Sequence, residues 1–212
     1  MGSADSSRPD GEQLSFWVAA RANGSGSGPG GSSAAALSAP RPLAVGDAVE
    51  VARFEAKIVR GPAVGDCWIW IGALGNDGYG RFWVTRDGMD VMVRPSRYAV
   101  ALATGEPVPP DLVAMHDRCD NPICVRAAWV GTSPPHVVLG TQADNLSSMG
   151  SKRRGGGQRP LWKHDGLTRA ERVARSKALR DAVRTGWNGD AVRRALLVGG
   201  GRPTLFGADG MP

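Results

Sequence analysis

Between His116 and Asn145 the chain concentrates residues that ordinary packing leaves scattered. The run opens His116-Asp117-Arg118-Cys119, turns through Asn121-Pro122, reaches Cys124, and after an irregular stretch meets His136 and then Leu139-Gly140-Thr141-Gln142-Ala143-Asp144-Asn145. The 212-residue chain has only three cysteines and three histidines, and four of those six lie in this segment. Three thiols cannot all pair with one another within one chain. Under reducing conditions they read as metal ligands or buried thiols, which places the protein in the cytoplasm.

The flanks limit what can surround this segment. The 30 glycines and 15 prolines are about a fifth of the chain, so part of its length builds no core. Residues 1–46 are mostly Gly, Ser, Ala and Pro, with a linker-like run at 23–33 and one apolar cluster, Leu14, Phe16, Trp17 and Val18. Such a composition predicts a disordered arm. No stretch has the apolar length of a membrane span, and the first residues lack a signal peptide's basic-then-apolar pattern. The net charge of +6 is unevenly placed. From Ser151 onward 14 Lys and Arg face 5 Asp and Glu, whereas residues 1–150 carry 12 against 15. A basic excess of that kind attracts a polyanion by counterion release, and nucleic acid is the natural partner; a solvated tail that only aids solubility is the alternative.

Order is expected from about Val49. Cys67-Trp68-Ile69-Trp70-Ile71 and the run 79–85 are rich in strand formers, and Gly75-Asn76-Asp77-Gly78 between them predicts a β-hairpin joining the two. Residues 91–94 could add a third strand. Pro95 suits a first helical turn, so 96–103 predicts a short helix ending before Gly105. Pro107, Pro109 and Pro110 then enforce an extended link into a strand, 112–115, that delivers His116 at its end. A return strand at 137–139 and a helix from Gln142 to about Met149, capped by Thr141, complete a strand–loop–strand–helix unit. Further on, Thr168-Arg169-Ala170-Glu171 is a capping box for a helix reaching about Thr185, with a second helix over 190–198. Trp68, Trp70 and Trp83 are expected in the core, and His164 has no evident role.

The chemistry follows from the residue types. Zinc takes four soft or borderline ligands in a tetrahedron. Cys119 and Cys124 across a tight turn, with Cys67 and His136, make a three-cysteine, one-histidine set that would staple the hairpin to the loop. Cys67 as a plain buried thiol is the other reading, and His116 in place of His136 is a rival fourth ligand. A neutral histidine can take a proton from a water that attacks a phosphodiester. An asparagine carbonyl can help hold a hard divalent cation, Mg²⁺ above all, against the phosphate. His116 and Asn145 flank the metal loop and suit those two tasks.

These residues resemble the HNH endonuclease superfamily, in its zinc-stapled branch akin to the His-Cys box homing endonucleases. The likeness rests on Cys67-Trp68-Ile69-Trp70, Gly78-Tyr79-Gly80-Arg81-Phe82 and the His116–Asn145 run, and covers roughly residues 66–155. It implies an α+β fold with a small ββα-metal core, an N-terminal β-hairpin and a structural zinc. The division would be an arm at 1–46, a nuclease domain at 47–155, and a basic helical tail at 156–212 that could itself bind DNA. It further implies a metal-dependent endonuclease acting on double-stranded DNA, with His116 as general base, Asn145 on the catalytic cation, and Cys67, Cys119, Cys124 and His136 on zinc. Arg97 sits where relatives place a backbone-contacting arginine, although Ser96 replaces the histidine that precedes it there. Lys152-Arg153-Arg154 echoes a basic run after the catalytic helix, and Arg81 and Arg94 could meet phosphates too or be ordinary surface residues. A homodimer is compatible with this reading.

Three positions depart from the family. It usually reads Cys-Val-Asn-Pro-x-His, whereas here Cys124-Val125-Arg126 leads to His136 only twelve positions after Cys124. Met115 stands where some relatives carry an acidic metal ligand. Asn145 replaces the final histidine of the superfamily's name, a common exchange in this branch. A zinc-stabilised DNA-binding protein without hydrolytic activity is the alternative these departures keep open.

Overall fold

In a computed structural model the described residues are 41–119, 121–151 and 167–199. The rest of the expected arm with its Leu14–Val18 cluster, the basic run Lys152-Arg153-Arg154 and His164 lie outside them. The described residues form a mixed α/β fold of three two-stranded antiparallel sheets and five helices. Leu43 already pairs with Val108, and Asp47 then caps α1 (Ala48–Glu55) by accepting the Glu50 N–H at 2.8 Å. Strands β1 (Ile58–Arg60) and β2 (Trp68–Trp70) follow, then β3 (Phe82–Arg86), β4 (Met89–Val93) and α2 (Pro95–Thr104). Next come β5 (Val113–His116), β6 (Val137–Gly140), α3 (Gln142–Ser151), α4 (Arg169–Ala182) and α5 (Gly189–Leu197).

The expected hairpin is rearranged. Its turn forms: Gly75 N–H donates to the Tyr79 carbonyl at 2.8 Å, Leu74 bridges Gly80, and Gly78 takes a φ of 83°. The strands on either side of that turn nevertheless pair elsewhere. β2 bonds through alternate residues to both neighbours, so both of its edges are filled. On one side Ile71 N–H reaches the Lys57 carbonyl and Gly61 N–H the Cys67 carbonyl. On the other, Trp70 N–H donates to the Ile123 carbonyl at 2.9 Å and Val125 N–H to the Trp68 carbonyl at 2.8 Å. No edge is left for β3, which pairs with β4 through a tight turn in which Asp87 and Gly88 both have positive φ, 51° and 74°.

Phe54, Trp70, Phe82 and Tyr98 form the aromatic centre, with ring centroids 4.5–5.7 Å apart. Trp70 is fully buried and Trp68 partly so, with the Arg60 guanidinium over its ring, but Trp83 is 42% exposed. The two-residue period of β3 points Phe82 and Val84 inward and so turns Trp83 out, against the expectation of a core tryptophan. Leu179 and Val183 of the α4 segment and Val192 and Ala195 of α5 belong to this same core. A smaller cluster, Val100, Ala101, Val108 and Val137, seats α2 on β6.

α4 is held to the 75–80 turn by side chains that reach backbone carbonyls. Arg169 Nε donates to Asn76, Arg172 Nε to Asp77 and the buried Ser176 hydroxyl to Gly78, at 2.8, 2.9 and 2.6 Å. The expected capping box at Thr168 and Glu171 is present in both directions.

Candidate functional site

The double use of β2 brings the cysteines together. Ile69 faces Cys124 across a bridge, so Cys67, just ahead of β2, lies beside the 121–124 turn. That turn is fixed by the buried Asn121, whose Oδ1 accepts from Ile123 N–H at 2.9 Å and whose carbonyl accepts from Cys124 N–H at 3.1 Å. His136 arrives as β6 begins. The donor atoms of Cys67, Cys119, Cys124 and His136 all lie within 4.8 Å of one another. His136 Nδ1 is 3.5 Å from Cys67 Sγ and 3.7 Å from Cys124 Sγ. Ordinary zinc–sulfur and zinc–nitrogen lengths make the N···S edge of a tetrahedron about 3.5 Å, so the donors fit an ion such as zinc. His116 sits at the rim, with Nδ1 3.9 Å from Cys119 Sγ, and His136 completes the four-residue group.

The sulfurs are electrostatically unequal. Hydrogen bonds from Cys119 and Cys124, with His136 beside it, pull Cys67 down to about 2 against its burial. Cys119 gains from Cys124, but its bond to Cys67 and its burial prevail and push it up to about 12. Burial also drives Cys124 upward. A divalent cation would stabilise all three as thiolates.

The twelve-position separation of Cys124 from His136 is accommodated by a closed excursion. Residues 127–135 leave the core and return, with Val130 bridging Ser133 around Gly131 (φ 56°). Its base is closed by one residue: the Arg126 carbonyl accepts from both His136 N–H and Val137 N–H at 2.9 Å. The added length bulges outward, and His136 is returned beside Cys124.

From the cluster the chain builds the strand–strand–helix unit. β5 and β6 pair so that His116, the last residue of β5, stands opposite Val137. Thr141 and Asp144 cap α3 reciprocally: Asp144 accepts from the Thr141 N–H at 2.9 Å and hydroxyl at 2.7 Å, and Thr141 Oγ1 accepts from Asp144 N–H at 3.1 Å. Asn145, half-buried, follows in the next position, its N–H on the Thr141 carbonyl at 3.0 Å. α3 contacts both β5 and β6. Met115 lies over Gly140, where an added Cβ would stand 2.5 Å from the Met115 methyl carbon.

The arginines are distributed differently. Arg81 and Arg94 converge on Asp77, at 3.2 and 2.6 Å, and Arg94 also lies over the Tyr79 ring. Arg97 is 4% exposed; it donates to the carbonyls of Val108, Pro109 and Leu112. It therefore anchors the proline-rich link into β5 from inside the fold. Asp77 and Arg126 carry large parts of this architecture; the sequence marks Asp77 as a turn residue but not as the acceptor of two arginines, and does not mark Arg126. A basic residue directly after the apolar Ile123-Cys124-Val125 was the available signal for Arg126.

Over 89 residues, 42% of this chain, the sequence is 38% identical to Protein 7.7 of Escherichia phage T7, and the match covers 58% of that protein. Over 88 residues it is 32% identical to Protein 2.8 of the same phage, covering 52% of it. The chain thus spans about half the length of the curated relatives it matches. No family model and no solved structure matches the chain.

Proposed function

We propose that the chain is a metal-dependent DNA endonuclease of the HNH type. The observation that carries this reading is the joining of two arrangements: a Cys₃His group fit for zinc, and the β5–β6–α3 unit built on it, with His116 ending a strand and Asn145 in the first turns of the helix. Zinc would be held by Cys67, Cys119, Cys124 and His136. Asn145 would offer its carbonyl oxygen to Mg²⁺, with phosphate oxygens and water completing the shell. Asp144 is occupied by the helix cap and Met115 brings no charge, so Asn145 is the oxygen ligand this unit supplies.

In the reaction His116 accepts a proton from a water as that water's oxygen attacks the scissile phosphorus. The bond from phosphorus to the 3′-oxygen breaks, and the leaving oxygen takes a proton from solvent. Mg²⁺, when bound, offsets the charge that builds on the phosphate and the leaving oxygen. The cluster's part is positional: it fixes the 117–136 connection through which His116 is held. Basic residues from Ser151 onward would supply non-specific affinity that falls steeply with salt.

The test is cleavage of supercoiled plasmid with Mg²⁺ by wild type and by His116→Ala, alongside zinc content. The expected outcome is nicked or linear DNA from wild type, no product from His116→Ala, and one zinc per chain in both. Plasmid binding without cleavage by zinc-loaded wild type would move the assignment to a non-catalytic binding protein. Loss of zinc in His116→Ala would place His116 among the ligands and remove it as the base.

A further inference from the structure

Arg126 is fully buried, and among the described residues no carboxylate pairs with it. Its guanidinium donates to the carbonyls of Asp66 at 3.3 Å and Ser133 at 3.1 Å, while its Nε is buried without a partner. Its Nη1 also lies 2.9 Å from Nε2 of His136, the ring nitrogen opposite the one that faces the sulfurs. A guanidinium left in the interior with two carbonyls and no counter-charge is costly.

The cluster beside it has the complementary problem. Three thiolates, one neutral imidazole and one divalent cation sum to a single negative charge, enclosed with a fully buried Cys124 and a His136 that is 6% exposed. We propose that Arg126 is the built-in counter-ion of this centre: its fixed positive charge brings the metal-loaded cluster to neutrality and thereby sets its affinity for divalent metal. Behind a metal-bound histidine one ordinarily finds a carboxylate or carbonyl that accepts the ring N–H. Here the neighbour is itself a donor: it can bond Nε2 only while that nitrogen is bare, and with Nδ1 on a metal Nε2 carries the ring proton, so what Arg126 contributes to the loaded centre is charge alone. The same residue stands where the resembling family has an asparagine, and it closes the excursion that this chain adds before His136. The added loop and the added charge therefore enter at one residue.

This inference rests on the metal reading of the cluster and is independent of any nuclease chemistry. The test measures Zn²⁺ affinity of the full chain by competition with a chromophoric chelator, for wild type, Arg126→Lys and Arg126→Gln. Arg126→Gln is expected to bind zinc about 10- to 100-fold more weakly, the usual scale for a partner just outside the ligands, and Arg126→Lys to stay within about threefold of wild type. Equal affinity in Arg126→Gln overturns the proposal, and so does a lysine variant as weak as the glutamine one, which would mark Arg126 as a geometric clasp alone. Wild type that binds no zinc would instead fail the metal reading itself. If Arg126→Gln does not fold, the same change is made beside Cys119→His, whose two-thiolate centre is neutral without a counter-ion. Folding restored in that background supports the proposal, and failure in both backgrounds overturns it.

Discussion

Asp77 occupies the middle of the 75–80 turn and is reached by both Arg81 and Arg94. Burial alone would raise its pKa. The hydrogen bond and charge of Arg94, the Tyr79 N–H and Arg81 more than reverse that and bring it to about 2, below its ordinary 3.8. A carboxyl depressed in the fold gives its full stabilisation above the unfolded value and loses it as pH falls through the folded one. The contribution of Asp77 is therefore complete above about pH 4 and disappears toward pH 2. Because the site is partly open to solvent, it is worth about 1 kcal/mol after screening. Thermal unfolding of wild type and Asp77→Asn should differ at pH 5 and converge between pH 4 and 2; a constant difference across that range would remove Asp77 as the titrating group. At this scale the sequence was legible wherever chemistry demanded rare residue types: Cys67, Cys119, Cys124 and His136 were identifiable and do meet. The buried arginines were not. Arg97 and Arg126 look like surface residues until the carbonyls that surround them are known, and those come from segments distant in the chain or set by loop shape.

Among the elements, those set by local rules were foreseeable. The proline start and glycine stop of α2, the cap of α3 and the capping box of α4 depend on residues within one or two turns of each end, and each forms. Strand partners obey no such local rule. The glycine-rich turn at 75–78 does form, yet the pairing of β2 was decided by its second edge, taken by residues 123–125 more than fifty positions away. That turn's main task proves to be docking α4, and Gly78 shows it. Its φ of 83° favours glycine, and a Cβ there would stand 2.9 Å from the Arg172 carbonyl carbon and the Val173 nitrogen, backbone atoms that cannot swing aside. Gly78→Ala should therefore destabilise the protein by roughly 2 kcal/mol, joining the cost of left-handed backbone to that of a displaced helix. Hydrogen exchange should report the loss chiefly in α4. Unchanged protection of α4 would mean that the helix is held by its apolar face and owes little to this turn.

At the scale of the whole molecule, α4 and α5 decide whether the basic C-terminal third is an appendage or part of the fold. Leu179 and Val183 are fully buried, and Val192 and Ala195 nearly so, in the core that holds Trp70, Phe82 and Tyr98. The Cys₃His cluster borders the same core, since Ile69 and Trp70 of β2 connect the aromatic centre to Ile123, Cys124 and Val125. Removing the two helices would uncover that centre, and burying four such side chains is worth several kcal/mol, a large share of the 5–15 kcal/mol typical of a domain. A chain ending at Ser151 should accordingly lose cooperative thermal unfolding, and added zinc should rescue it only in part, because metal ties loops together but cannot cover apolar surface. If the shortened chain instead melts cooperatively near the full-length temperature, the helices are a separable module. If it fails to fold, the arginines of α4 belong to the fold. Arg169 and Arg172 hold α4 to the 75–80 turn, so their charge is tied to the fold.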